Sequence, residues 1–417
     1  MGSEPIAAVV SADDIRRTAE GIRGSVVRTP LLSFPAIEAR ARGRVALKCE
    51  SLQHSGSFKM RGATAKLLSS TAAAERGVVA GTAGNHGHAL ALAAQRQGVS
   101  CDLFVPVGAP VSKTAPAARL GAHLHTGEGT VDDCVERALA FADAEGAEFV
   151  HPFDDPVVVA GQGTVGFELV EDAPDLARVL VPLGGGGLAA GIAIAVKSER
   201  PDVEVVGVQV EACAPYPGSL AAGEAVAAQA AETIADGIAV KRPGRLTLPL
   251  VEQWVDRVVV VGEDEVGDAM GVLLAEAKLV VEGAGAVGLA ALLEGADEAA
   301  ADGTTAVILS GGNVDEELLA AVARRSETKQ GRGVVLLTTI SDRPGSLARL
   351  LERVAETGAN VVDVRHLREG VRLGMSETGV EMILETRGTE HAGEIVASLE
   401  RHGYPISEVV QPEEEEA

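Results

Sequence analysis

Between about residues 44 and 310 the chain alternates short β-rich runs with longer Ala/Leu-rich stretches, and this alternation narrows the choice of fold more than any other feature. Residues 78–80, 101–105, 178–183, 203–210 and 304–309 read as strands, and 87–97, 131–145 and 188–198 as helices. Strands separated by helices in this way predict parallel sheets covered on both faces, an α/β class. In such sheets ligands bind beyond the carboxyl ends of strands, so the loops after strands are where chemistry is expected. The pattern changes after residue 330. The polar stretch 326–333 reads as a linker, 334–341 as a strand, and Leu347, Leu350, Leu351 and Val354 share one helical face. Gly358 is the expected stop of that helix. Strands at about 360–368 and 378–386 follow, then a helix with Ala392, Ile395, Val396 and Leu399 inward, then a strand at 406–410. That order is βαββαβ, a ferredoxin-like arrangement. The expected division is therefore a large α/β region over 1–323, a linker over 324–333, a small α/β domain over 334–410 and an acidic tail over 411–417.

A formal charge of −24 repels phosphate backbones and anionic lipid, which argues against nucleic-acid and membrane-surface partners. Cys49, Cys101, Cys134 and Cys213 are widely spaced without a Cys-x-x-Cys pair, so neither a zinc site nor a disulfide framework is expected. The start of the chain lacks a basic leader region, and Ile6 stands where a myristoylation motif wants Ser or Thr. No apolar run reaches the roughly 18 residues of a membrane span. These features predict a soluble cytoplasmic protein.

Four segments carry chemical information. Gly56-Ser57-Phe58-Lys59-Met60-Arg61-Gly62 places one lysine at the start of a helix. There the positive helix end and desolvation weaken its preference for charge, and the freed amine can form a Schiff base with an aldehyde. Thr82-Ala83-Gly84-Asn85-His86-Gly87 lies between a strand and a helix, where backbone N–H groups can receive an anion. Gly184-Gly185-Gly186-Gly187-Leu188 occupies a second such position, and glycines let backbone N–H groups surround a phosphate without obstruction by Cβ. It is neither a P-loop nor a dinucleotide fingerprint, since no Gly-Lys-Ser/Thr and no spaced glycines are present. Ser310-Gly311-Gly312-Asn313 follows a buried run, so Ser310 falls at the carboxyl end of a strand.

Together with Lys48-Cys49-Glu50-Ser51-Leu52-Gln53, His151-Pro152-Phe153-Asp154-Asp155-Pro156 and Ala235-Asp236-Gly237-Ile238, these segments resemble the fold type II pyridoxal-phosphate (PLP) enzymes over residues 20–323. Within them the likeness is to the threonine dehydratases. The resemblance implies that Lys59 holds the cofactor aldehyde, Phe58 packs by its ring and Asn85 bonds its 3-hydroxyl. It further implies that Gly184, Gly185, Gly186, Gly187 and Leu188 hold the phosphate and that Ser310 faces the ring nitrogen. A neutral hydroxyl there makes the ring a weaker electron sink than an aspartate would, which favours prompt loss of a β-substituent. Thr82, Ala83, Gly84, Asn85 and His86 would receive the substrate carboxylate, Lys59 would remove the α-proton, and the cofactor phosphate or a group near it would protonate the departing hydroxyl.

The expected reaction is therefore loss of water and ammonia from L-threonine to give 2-oxobutanoate, with L-serine a weaker substrate. Serine or hydroxyaspartate dehydration is the alternative. Serine racemisation is a further one, opposed by Ala83, which stands where racemases carry a proton-exchanging serine. A silent amino-acid sensor is the alternative outside catalysis. Gln209 and Pro215 occupy the places where some relatives have metal-binding carboxylates, so no such metal site is expected. The segment Asp342-Arg343-Pro344-Gly345-Ser346-Leu347 resembles the ACT regulatory domains over 334–410. That likeness implies an amino-acid effector, isoleucine opposed by valine, near Asp342, Pro344, Gly345 and Asn360, and a homodimer or homotetramer.

Overall fold

The computed structural model describes residues 10–82, 84–229, 231–368 and 373–410. Ala83 and the acidic tail lie outside the described residues. The chain divides into two units between Leu318 and Leu319.

The first unit contains two sheets. The chain enters the larger one with β1 (Leu31–Leu32) and β2 (Val45–Lys48), and leaves it to build a smaller sheet from β3 (Val78–Gly81), β4 (Cys101–Pro106), β5 (His123–Gly127) and β6 (Glu148–Phe149). It then returns with β7 (Leu176–Pro182), β8 (Glu204–Val210), β9 (Arg257–Val261) and β10 (Thr304–Ile308). The strand orders are β1-β2-β10-β7-β8-β9 and β5-β4-β3-β6. Every pairing is parallel except β1 with β2. Central strands with both faces covered have no solvent side, which is why β2 and β3 are buried at every position and β3 reads in the sequence as an unbroken apolar run.

Three helices form a spine between the sheets: Lys59–Ser69, Pro156–Asp172 and Gly187–Glu199. They touch backbone to backbone. A Cβ on Gly161 would lie 2.6 Å from the Gly62 Cα, and one on Gly191 would lie 2.5 Å from the Val159 carbonyl oxygen and 2.7 Å from the Gly163 nitrogen. The paucity of aromatics, 2% of the chain, has this close packing as its counterpart. At the same level lies a buried charge cluster. The Arg61 guanidinium donates to both carboxylate oxygens of Glu50 at 2.7 and 2.8 Å and to Glu168 at 2.6 and 2.9 Å. Lys48 meets the same Glu168 carboxylate at 2.7 Å.

In the second unit, β11 (Gly333–Ser341), helix Ser346–Glu356, β12 (Asn360–Leu367), β13 (Glu377–Glu385), helix Thr389–Arg401 and β14 (Ile406–Val410) follow in the βαββαβ order. The sheet runs β12-β13-β11-β14, with every pairing antiparallel. Leu350, Val354, Ala392, Ile395 and Leu399 are buried against Leu336, Val380 and Met382, as their helical spacing predicts. Gly345 and Gly358, at φ +87° and +78°, bound the first helix.

The stretch 326–333 differs from its reading as a linker. The helix Glu316–Lys329 extends through its first half, leaving only 330–332 irregular before β11. Polar residues suggest a loop, but here they continue a solvent-facing helix, with the Thr328 hydroxyl donating back to the Arg324 carbonyl at 3.0 Å. The expected boundaries at 323 and 334 fall within this helix and at the second residue of β11.

Candidate active site

Lys59 is the first residue of its helix, and the turn before it is sewn to the end of β10. The Phe58 N–H donates to the Ser310 carbonyl at 3.0 Å, Ser57 pairs with Gly311, and the Gly312 N–H donates to the Gly56 carbonyl at 2.9 Å. The Lys59 ammonium donates to the Pro152 carbonyl at 2.7 Å and stands 5.1 Å from the centroid of the Phe58 ring. The residue is only partly shielded from solvent as a whole, but protein encloses the amine. Desolvation lowers its pKa from 10.5 to about 8, against the opposing pull of the Glu282 carboxylate.

The next residue after Pro152 reaches the glycine tetrad. A Cβ on Gly185 would fall 2.3 Å from the Phe153 ring, and one on Gly187 would fall 2.9 Å from the Phe153 carbonyl oxygen. One dipeptide, Pro152-Phe153, thus holds the amine with its first residue and lines the tetrad with its second. The tetrad joins β7 to the helix Gly187–Glu199, with Gly186 at φ +97° and no side chain capping the helix start. The opening N–H groups of that helix have no acceptor within the helix and are free to bind an anion. The Gly185 carbonyl accepts from the Thr247 hydroxyl at 2.6 Å and from the Tyr216 hydroxyl at 3.2 Å.

Of the Thr82–His86 loop, Thr82 is anchored to β4 through its N–H on the Phe104 carbonyl at 2.9 Å, and its hydroxyl accepts from the Gly84 N–H at 3.3 Å. Asn85 and His86 open the helix Asn85–Gln97. His86 Nε2 lies 2.8 Å from the Val150 carbonyl, so that nitrogen carries the proton. Desolvation and the nearby Lys59 push its pKa down to about 3, keeping the ring neutral. Asn85 is held at both ends of its amide: Nδ2 donates to Glu282 at 2.7 Å, and Oδ1 accepts from the Asn313 amide at 2.7 Å. Ser310 is buried, with its hydroxyl 3.5 Å from the Ala284 carbonyl. Leu188 is buried in the first turn after the tetrad.

The segments picked out in the sequence therefore meet at one place. Two further groups join them that the sequence reading does not single out. Glu282 is buried at the start of the helix Gly283–Leu293, and burial raises its pKa from 4.5 to about 7. A signal for it exists: it is a lone carboxylate opening eleven residues that carry no charge. Asp154 lies inside the stretch 151–156, where nothing in the local pattern sets it apart from Asp155. Gln209 is tied to the loop before the tetrad, donating to the Leu183 carbonyl at 2.9 Å and accepting from the Tyr216 N–H at 3.0 Å. Among the described residues no group of three His, Cys, Asp or Glu side chains could hold a metal ion, and no helix is long and apolar enough to cross a membrane.

In the second unit Asp342 pairs with Arg368 at 3.0 Å, and the Asn360 amide donates to Glu385 at 3.0 Å. Pro344 and Gly345 form the turn into the helix Ser346–Glu356.

A model of the pyridoxal-phosphate dependent enzyme family matches residues 22–311. The L-threonine ammonia-lyase of Thermotoga maritima is 42% identical over 399 residues, covering 95% of this chain and 99% of that protein. The catabolic L-threonine dehydratase of Escherichia coli K12 is 41% identical, over 73% of this chain and 94% of its own length. Among solved structures, maize serine racemase superposes with a TM-score of 0.72 at 33% identity, covering 76% of this chain and 98% of its own. The processed form of threonine deaminase isoform 2 from Solanum lycopersicum superposes with a TM-score of 0.69 at 29% identity, covering 78% of this chain and 96% of its own.

Proposed function

Because the chain belongs to the pyridoxal-phosphate-dependent enzymes, we propose that it is a lyase that removes water and ammonia from L-threonine to give 2-oxobutanoate, with L-serine a weaker substrate. The observation that carries the chemistry is the enclosed Lys59 amine, its pKa lowered to about 8 and its carbonyl partner in the same dipeptide that lines the tetrad. Identity of 42% along nearly the whole chain with a protein named as acting on threonine supports the substrate.

The residues present fit PLP. Side chains are absent from the tetrad because Phe153, Tyr216, Thr247 and Ile238 crowd the space they would take, and the opening N–H groups of the helix there lack acceptors within it. Gly184 to Leu188 would hold the phosphate, Lys59 the aldehyde carbon and Asn85 the ring oxygen, with Phe58 and Ser310 beside the ring. Bound in this way, PLP supplies an electron sink that acidifies the α-hydrogen of an amino acid.

The chain's own groups do the rest. Lys59, with its pKa lowered to about 8, is a base able to take that hydrogen and return it. Neutral His86 leaves the start of the helix Asn85–Gln97 as the positive end that meets a carboxylate. Glu282 and Asn313 fix the Asn85 amide so that its remaining N–H faces a set direction. Trapping with labelled borohydride tests the covalent step. Label should enter at Lys59, and label retained in Lys59→Ala would defeat the assignment.

A second reading, serine racemisation, is favoured by the likeness to the maize enzyme and opposed by Ala83, which has no proton to exchange. D-serine formation at a rate comparable to deamination would decide for it. The βαββαβ unit supports an ACT-type regulatory role, with isoleucine opposed by valine near Asp342, Pro344, Gly345 and Asn360. The E. coli relative covers only 73% of this chain, as expected if this unit is a separable addition. Isoleucine sensitivity that survives removal of the residues after 330 would end that assignment. A cytoplasmic homodimer or homotetramer completes the reading.

A further inference from the structure

We propose that Asp154 is a positioning residue for the phosphate-binding turn, acting through Thr247 and the Gly185 carbonyl. The inference rests on the reading of the tetrad as a phosphate cradle and adds what aims it. The Asp154 carboxylate accepts three consecutive backbone N–H groups: Arg245 at 3.0 Å, Leu246 at 2.9 Å and Thr247 at 3.1 Å. It approaches so closely because residue 244 is glycine; a Cβ there would lie 2.0 Å from its oxygen. This grip fixes the start of the helix Thr247–Trp254. From there the Thr247 hydroxyl donates to the Gly185 carbonyl at 2.6 Å, joined by the Tyr216 hydroxyl at 3.2 Å. Thr247 is fully buried.

A peptide unit is planar and trans, so holding the Gly185 oxygen on one side turns the Gly186 N–H to the other. The chain Asp154, Thr247, Gly185 therefore decides where that N–H points. Asp154 adjoins Phe153, whose ring and backbone line the tetrad, so the turn is gripped from two sides by neighbouring residues. Asp154→Asn keeps the volume but places an amide donor where one of the three N–H groups needs an acceptor.

The test compares PLP with pyridoxal, which has the aldehyde but no phosphate, on full-length protein stripped of cofactor. Wild type should bind PLP far more tightly than pyridoxal. In Asp154→Asn and in Thr247→Val that advantage should shrink about tenfold, with pyridoxal affinity unchanged and the phosphorus resonance of bound PLP shifted. An advantage kept in full by Asp154→Asn, with an unmoved resonance, overturns the proposal. If Asp154→Asn does not fold, Thr247→Val decides in the same terms. No advantage of PLP over pyridoxal in wild type would instead overturn the tetrad reading on which the proposal stands.

Discussion

Replacing Lys59 by Met should make the cofactor-free protein more stable at neutral pH while abolishing its activity. The enclosed amine has a pKa of about 8 in the folded chain against 10.5 in the reference state. At 1.36 kcal/mol per unit, that lowering corresponds to ~3 kcal/mol of destabilisation while the amine is charged in both states. Residual solvent contact and loss of the bond to the Pro152 carbonyl reduce the expected gain from Lys59→Met to ~2 kcal/mol. The sign follows from proton counting. Below pH 8 folded and unfolded chains both carry the proton and the cost is complete. Between about 8 and 10.5 the unfolded chain binds more protons, so wild type gains stability as pH rises, and above 10.5 the cost is gone. The advantage of the variant should therefore be full at pH 7 and nearly absent near pH 10.5. Denaturant midpoints of both cofactor-free proteins across this range measure it. A variant no more stable than wild type at pH 7, or an advantage that does not shrink with rising pH, refutes the claim that the amine is held at the expense of the fold.

Glu282, with its pKa pushed up to about 7, should make kcat/KM for threonine fall as pH drops through that value, because protonation weakens the acceptor that holds Asn85. In Glu282→Gln the profile should lose this inflection; its persistence would assign it elsewhere. Gly186→Ala forces a side chain into φ +97° and against the Tyr216 hydroxyl, 2.1 Å from the new Cβ. PLP affinity should fall by about tenfold or more, read by titration of the cofactor-free protein. Arg61→Met leaves Glu50 buried without its partner and should cost ~3–5 kcal/mol, seen as a lower urea midpoint. An unchanged midpoint would show that the cluster contributes nothing net.

Much of the site was legible because its parts are local. Lys59 and the tetrad lie where a loop or strand meets a helix and Ser310 just past the end of a strand, and such places announce themselves through glycine and polar punctuation. The alternation that predicted parallel sheets came from strands buried on both faces, and β3 and β7 stand within a residue or two of where the pattern put them. What could not be read were partners across long separations. Asn85 meets Glu282 across 197 positions and Asn313 across 228, and nothing in the local spacing of either segment encodes that meeting. Asp154 was obscured for a similar reason, since its three acceptor contacts are with residues more than 90 positions away. The stretch 326–329 misleads in the opposite direction: polarity reads as a break, yet an exposed helix face is also polar.

The contact of bare backbones through Gly62, Gly161, Gly163 and Gly191 has a consequence for how such a protein can change. The helix that begins with the amine and the helix that begins at the glycine tetrad each approach the helix Pro156–Asp172 between them at these glycines, so their separation is set where any added side chain would collide. Leucines and valines elsewhere in the interior can be traded as a lineage moves between hot and cold habitats, and the reach from the Lys59 nitrogen to the glycine tetrad stays the same. Variation should accordingly be permissive throughout the hydrophobic interior and nearly forbidden at these four small positions.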